Sequence, residues 1–247
     1  MQAASGHSGG KSQGIGRAAG AAALDVAIFG GRGAGALVAF TLDRLAAAGG
    51  AACLGFLNDV EPAGTLIGDH PVLGPFAAWH DLPPPAGFIA PLHKANEMAR
   101  RAKLIRGLGV PRERWATVID PQALLAGDVS LGVGVFIAPA ARVLSSARLG
   151  DHVAVRGGCE VSHDTTVEDF AAVGVNSVLC GYVTVREGAH IAPGAVVRDG
   201  LTVGRYSVVG LGAVVVRDVP DGAIVAGNPA RIIGAVAGFE SMPAAAP

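Results

Sequence analysis

The sequence predicts a two-part chain: a small α/β unit followed by a parallel β-helix assembled from six-residue repeats. Three observations carry this. Aliphatic residues recur at every sixth position from Ile119 to Val215 without a gap. Nearer the start, a short apolar strand runs into glycines and then into a helical pattern. The 247 residues are 51% hydrophobic but only 5% aromatic, with 37 glycines, so the core they fill is narrow and lined by small side chains.

Composition also bounds the function. A formal net charge of −1 leaves no broad electrostatic footprint for nucleic acid. Cys53, Cys159 and Cys180 lack metal-type spacing, and an odd number leaves one outside any disulfide scheme, which fits a reducing compartment. No run reaches the roughly 18 uncharged apolar residues of a membrane span. The nearest, 18–31, is interrupted by Asp25. Lys11 and Arg17 ahead of "AAGAAAL" imitate a signal peptide, but the apolar part is short and runs into a strand, so no secretion is expected.

Residues 1–24 are rich in Gly, Ser and Ala and read as a flexible tail. Their "GGKS" imitates a phosphate-binding P-loop, but Ser5 stands where that motif needs its first glycine. Residues 25–35, "DVAIFGGRGAG", pass from strand to glycine turn, "ALVAFTLDRLAAAG" is helical, and "ACLGFLND" is a second strand. This β–Gly-loop–α–β unit is Rossmann-like: glycines admit a ligand close to the backbone, and the helix start offers free N–H groups. Asn58–Asp59 end the second strand, where open parallel sheets bind ligands. A Pro-rich loop, the run "GFIAPL", a basic helix over 95–108 and "VPRERWATV" complete a domain spanning 25–116, shorter than a full dinucleotide fold.

From 117 to 234 the period changes to six. All seventeen positions from Ile119 to Val215 are Val, Ile or Leu, and the residue four further on is mostly small. Neither a helix nor an alternating strand has this period; a hexapeptide β-helix does. Three hexads make a triangular coil, the aliphatic residue fills the interior, and the small one fits a corner. Stacked coils bury one another's cores, so few aromatics suffice. Residues 235–247 read as a second tail.

In this frame "CEVSHDTTVEDF", 159–170, places His163 and Asp164 between the core position Val161 and the small-residue slot at Thr165. The scaffold requires neither residue. Read from the residues alone, His163 is a surface histidine or a base. Adjacent strand residues point to opposite faces, so the pair works together only near a corner; Glu160 and Glu168 are alternative partners. His152 lies 11 residues before His163 and His190 lies 27 after it. Neither stacks on an 18-residue coil, which argues against a three-histidine zinc site, and no metal is expected.

The hexad run, together with the ending "VPDGAIVAGNPARII" (219–233) and its G-x-P-A stretch, resembles the left-handed parallel β-helix of hexapeptide-repeat acyltransferases. With the N-terminal unit, the chain looks like the NeuD/PglD-like sugar O- or N-acyltransferases. The resemblance implies transfer of an acyl group, acetyl by analogy with that family, from acyl-CoA to an amine or hydroxyl of a nucleotide-linked or sialic-acid-type sugar. It implies acetyl-CoA as co-substrate, no resident cofactor, no membrane span, a homotrimer with sites between subunits, and a cytoplasmic location. The family's general base and its acidic neighbour match His163 and Asp164. Its sugar-nucleotide contacts fall on Arg32, Gly33, Ala34, Asn58 and Asp59, with Ala34 and Asn58 departing from the usual His and Asp. Its acyl-CoA groove falls on Ala172, Gly181, Pro193 and Leu211, and Ala172 stands where the family carries a second histidine. Arg198, Arg205, Arg217 and Arg231 are candidates for CoA phosphates. Two other readings stay open: a non-catalytic binding or scaffolding solenoid, and a zinc carbonic-anhydrase-like trimer.

Overall fold

A computed structural model describes residues 25–239. The expected tail over 1–24, its "GGKS", and positions 240–247 lie outside the described residues. The first unit is a five-stranded sheet. β1 (Val26–Phe29) is followed by α1 (Ala34–Ala47), β2 (Cys53–Leu57), β3 (Leu66–Ile67), β4 (His70–Gly74), β5 (Gly87–Ile89) and α2 (Met98–Gly107). The spatial order is β3-β4-β2-β1-β5, parallel except for β3 against β4. All four residues of β1 are buried, as a strand covered on both faces requires. Gly33, at φ 77, turns the chain into α1, whose buried residues Gly35, Val38, Ala39 and Leu42 form one stripe. The helix expected over 95–108 is confined to α2, and residues 95–97 form a tighter turn before it.

The second unit is a ladder of two-residue strands, β6 (Val118–Ile119) to β22 (Val214–Val215), starting every six residues. Each pairs in parallel with the strand eighteen residues away, as in Glu160↔Val178 and Ala172↔His190. Three faces result: six strands (β7 to β22), five strands (β8 to β20), and eight strands that begin at β6 and end in β23 (Ala223–Ala226) and the antiparallel β24 (Arg231–Ala235). The sixth-position aliphatics are the second residue of every strand and point inward, and Ile137, Val155, Val161, Val173, Leu179 and Val209 are wholly buried. The small residues four further on join the same core, including the hydroxyls of Thr165, Ser177 and Ser207. Their polarity is met within the coil: Thr165 Oγ1 donates to the Cys180 carbonyl at 2.9 Å and Ser177 Oγ to the Ala192 carbonyl at 3.0 Å.

The corner itself belongs to the slot just before the small residue. From Gly134 to Gly212, every residue in that slot has φ between 52° and 73°, and eight of them are not glycine. Each such residue costs roughly 1–2 kcal/mol, which the ladder around it must offset. The chain continues as strand to Ala235, and Val236 and Phe239 pack beyond it; Phe239 lies against the Met98–Ala172–Tyr206 cluster.

Two joints lock the units together. α1 packs on the first coils through Val118, Phe136 and Ala138, and Thr41 Oγ1 donates to the buried Asp120 carboxylate at 3.3 Å. α2 inserts Arg101, 5% exposed, whose guanidinium donates to the carbonyls of Phe170 and His152, each at 2.7 Å. Among the described residues no helix is long and apolar enough to cross a membrane.

Candidate active site

His163 and Asp164 form the turn between β13 (Glu160–Val161) and β14 (Thr166–Val167). Asp164 occupies the left-handed slot at φ 56, a conformation that aspartate tolerates better than most residues. That backbone undoes the strand alternation. Both side chains lie on one side, and the Asp164 carboxylate sits 2.9 Å from His163 Nδ1. With Nδ1–H donating to the carboxylate, the lone pair of the imidazole is on Nε2. The side chains are 52% and 42% exposed, so this nitrogen is reachable. Glu160 is held by Arg142 and Ser162, while Glu168 accepts from the Glu187 N–H and faces Arg186; neither bonds to His163.

One coil further on, Gly181 stands over the imidazole. A Cβ built there would lie 2.6 Å from His163 Cε1, so this position admits the ring only as glycine. Tyr182, also in the left-handed slot and 62% exposed, sets its ring edge-on to the imidazole at 5.2 Å. Sequence reasoning missed Tyr182. The signal was present, since 164 plus one 18-residue coil is 182.

The remaining expected groove residues occupy other parts of the prism. His163 and Gly181 lie on the edge between the six- and five-strand faces. Pro193 and Leu211 are exposed on the edge between the eight- and six-strand faces. Within one chain these two sets do not meet. Ala172 is on the eight-strand face, 3% exposed beneath Met98 and Tyr206. Arg198, Arg217 and Arg231 are exposed, whereas Arg205 is 8% exposed, packs over Tyr206 and faces Glu187 at 3.6 Å, which removes it from the surface arginines. His152 is buried between Phe170 and Trp115. Among the described residues no group of three His, Cys, Asp or Glu side chains is arranged to hold a metal.

At the C-terminal ends of β1 and β2, a cavity of about 930 Å³ is lined by Arg32, Asn58 and Asp59 from the predicted set. Gly33 and Ala34 form the turn into α1 and do not line it. Asn58 Oδ1 accepts from the Val60 and Glu61 N–H groups, and Asp59 Oδ1 from the Phe76 N–H at 2.7 Å, so the pair shapes the loop. Gly31 is required here, because a Cβ would meet Asn58 Nδ2 at 2.5 Å. Glu61 bonds Arg32 at 2.8 Å, and α2 adds Arg100 and Lys103 to the rim. None of these three was singled out from sequence, since only the fold brings the loop after β2 and α2 together over the strand ends.

No protein-family model matches the chain. A GDP-perosamine N-acetyltransferase of Escherichia coli O157:H7 is 30% identical over 121 residues, covering 47% of this chain and 54% of that protein. A dTDP-3-amino-3,6-dideoxy-alpha-D-galactopyranose 3-N-acetyltransferase of Aneurinibacillus thermoaerophilus is 48% identical over 56 residues, covering 23% of this chain and 29% of that protein. The chain thus spans about half or less of these curated relatives. Among solved structures, the acetyltransferase domain of PglB from Neisseria gonorrhoeae, in complex with acetyl coenzyme A, superimposes with a TM-score of 0.75 at 29% identity, covering 85% of this chain and all of that one. PerB from Caulobacter crescentus, in complex with CoA and GDP-perosamine, gives a TM-score of 0.72 at 28% identity, covering 85% of this chain and 97% of that one.

Proposed function

We propose that this chain, which has sugar N-acetyltransferases among its relatives and structural neighbours, is a hexapeptide-repeat acyltransferase that transfers an acetyl group from acetyl-CoA to the amine of a nucleotide-linked amino sugar. The observation that carries this reading is the His163–Asp164 dyad, held at a coil corner beneath a glycine. The acceptor amine attacks the thioester carbonyl carbon through its lone pair. His163 Nε2 takes the proton that the new N–C bond makes acidic, the C–S bond breaks, and the same proton passes to the departing sulfur. Asp164 fixes the tautomer and stabilises the imidazolium formed between the two transfers. Positioning donor and acceptor together supplies much of the remaining acceleration.

In this reading the small unit is a Rossmann-like nucleotide-sugar domain, bounded by residues 25–116, and the cavity beside Asn58 and Asp59 receives the nucleotide. Arg32, Arg100 and Lys103 supply positive charge for its phosphates. The β-helix, 117–234, is left-handed. The separation of the His163–Gly181 edge from the Pro193–Leu211 edge supports a homotrimer, in which one subunit's base faces another's CoA groove. Both substrates are metabolites of the cytoplasm, where the enzyme would act. The test is thiol release from acetyl-CoA in the presence of a panel of nucleotide-linked amino sugars. One acceptor should support turnover, and His163→Ala should abolish it while circular dichroism and melting stay unchanged. A fully active His163→Ala variant would sink the assignment.

A further inference from the structure

The left-handed corner slot sorts its occupants by burial. With one exception, its exposed non-glycine residues are small or polar: Ala140, Ser146, Asp164 and Asn176. The rings it holds are otherwise packed away, with His152, Phe170 and Tyr206 only 6%, 4% and 5% exposed. Burying so large a side chain offsets the cost of the backbone conformation. Tyr182 is the exception. It adopts φ 61 and is 62% exposed, so it bears that cost without the burial. The corner needs no ring there, since Asn176 and Gly200 fill the same slot on other coils. Backbone cost left uncompensated in this way gathers at functional sites.

The position of the ring is specific. The corners hydrogen-bond from coil to coil: the Tyr182 N–H donates to the His163 carbonyl at 3.1 Å, and the Gly200 N–H to the Gly181 carbonyl at 3.0 Å. Tyr182 therefore lies between the coil of the base and that of Gly200. Its ring meets the imidazole edge-on, with centroids 5.2 Å apart, and this is its one ring contact among the described residues. One coil on, Gly200 has no side chain to cover it, and a Cβ there would meet nothing within 4 Å. The phenol thus stands beside the base as an open apolar surface. In the reaction proposed above, the nitrogen that His163 deprotonates comes within about 3.2 Å of Nε2, and the pyranose carbon that carries it is one bond further. A ring centred 5.2 Å from the imidazole borders that pyranose. The acyl donor brings only its small acetyl group and sulfur to the same point, with no face for a phenol to cover. A pyranose has one, because its C–H bonds make an apolar surface that an aromatic ring buries well.

We propose that Tyr182 is a specificity-determining residue for the acceptor: its ring packs against the C–H face of the acceptor's pyranose and orients the amine toward His163 Nε2. The inference rests on the acetyl-transfer reading, and it assigns the ring to the acceptor rather than to acetyl-CoA.

The chain has two tyrosines and Tyr206 is buried, so NMR of the full chain with tyrosine rings labelled has one exposed and one buried reporter. The protein is titrated with the panel of nucleotide-linked amino sugars, with the matching free nucleotides and with acetyl-CoA. At least one amino sugar should shift the Tyr182 ring signals and show magnetisation transfer to them from its pyranose C–H protons. Free nucleotide and acetyl-CoA should do neither, and Tyr206 should not respond. Tyr182→Asn, which suits the slot, should lower kcat/KM for that acceptor about tenfold, with the KM for acetyl-CoA nearly unchanged and the melting temperature no lower. Tyr182→Phe keeps the ring and should stay near wild type. A Tyr182 response to acetyl-CoA, thiol release with an amino sugar that leaves the ring signals unmoved, wild-type kcat/KM in Tyr182→Asn, or an equal loss in Tyr182→Phe would each overturn the proposal. Ring contact with a sugar that is never acetylated would support the stacking and sink acetyl transfer instead. Neither contact nor thiol release across the panel would sink both.

Discussion

Gly181 and His163 stand one coil apart on the same edge, so close that a methyl group on the first would lie 2.6 Å from a ring carbon of the second. The vacancy of a side chain at 181 is what lets the imidazole lie beside its carboxylate. Gly181→Ala keeps an accessible backbone conformation, because 181 is not one of the left-handed positions. It should therefore fold normally and displace the ring. Displacements near 1 Å cost up to about a hundredfold in rate, so turnover should fall at least about tenfold with little change in melting temperature. Unchanged turnover would show that His163 does not act from this position.

Asp164→Asn tests the partner. Asparagine also tolerates the left-handed slot, so the corner survives. The amide cannot stabilise an imidazolium, and it no longer enforces the Nδ1–H tautomer. Turnover should fall about a hundredfold or more, while the KM for acetyl-CoA stays within a few-fold of wild type. A loss confined to KM would make Asp164 a binding residue instead.

The periodicity made the β-helix legible down to single residues, because one-dimensional stacking repeats a local rule: every sixth aliphatic is the inward residue of a strand. What the repeat conceals is the left-handed slot. Ala140, Phe170 and Tyr182 satisfy it as well as Gly188 does, so composition there carries no common signature. That slot nonetheless decides whether His163 and Asp164 meet. The small unit was legible as strand, glycine turn and helix. The contribution of Arg100 and Lys103 was not, since it depends on how α2 crosses the strand ends. Ala172 was matched by position in the chain, but Met98 and Tyr206, distant in sequence, cover it.

Lys103→Met removes a charge from the cavity rim without touching the β-helix. Lys103 is exposed, so salt screens its effect and folding should not depend on it. The KM for the nucleotide-linked acceptor should rise about tenfold at low ionic strength with kcat nearly constant. An unchanged KM would remove α2 from the nucleotide site.

His152 makes the fold acid-sensitive. Burial, reinforced by Arg101 and only partly countered by Asp151, lowers its pKa from 6.5 to about 4. The ring stacks on Phe170 at 5.1 Å and meets Trp115 edge-on at 4.6 Å, leaving no room for hydration of an imidazolium. Between pH 6.5 and 4 the unfolded chain therefore binds a proton that the folded chain refuses. Stability is greatest above pH 6.5 and is lost as pH falls through this window. The loss from this one group is at most about 3 kcal/mol. His93 and His190, shifted in the same direction, add to it. Replacing His152 by Asn, which suits its left-handed backbone at φ 57, costs the ring stacking at every pH but removes this proton from the balance. The variant should be less stable than wild type at pH 7.5, and its denaturation midpoint in urea should fall less steeply from pH 6.5 to 4. Parallel pH profiles for the two proteins would show that His152 takes up its proton without unfolding cost.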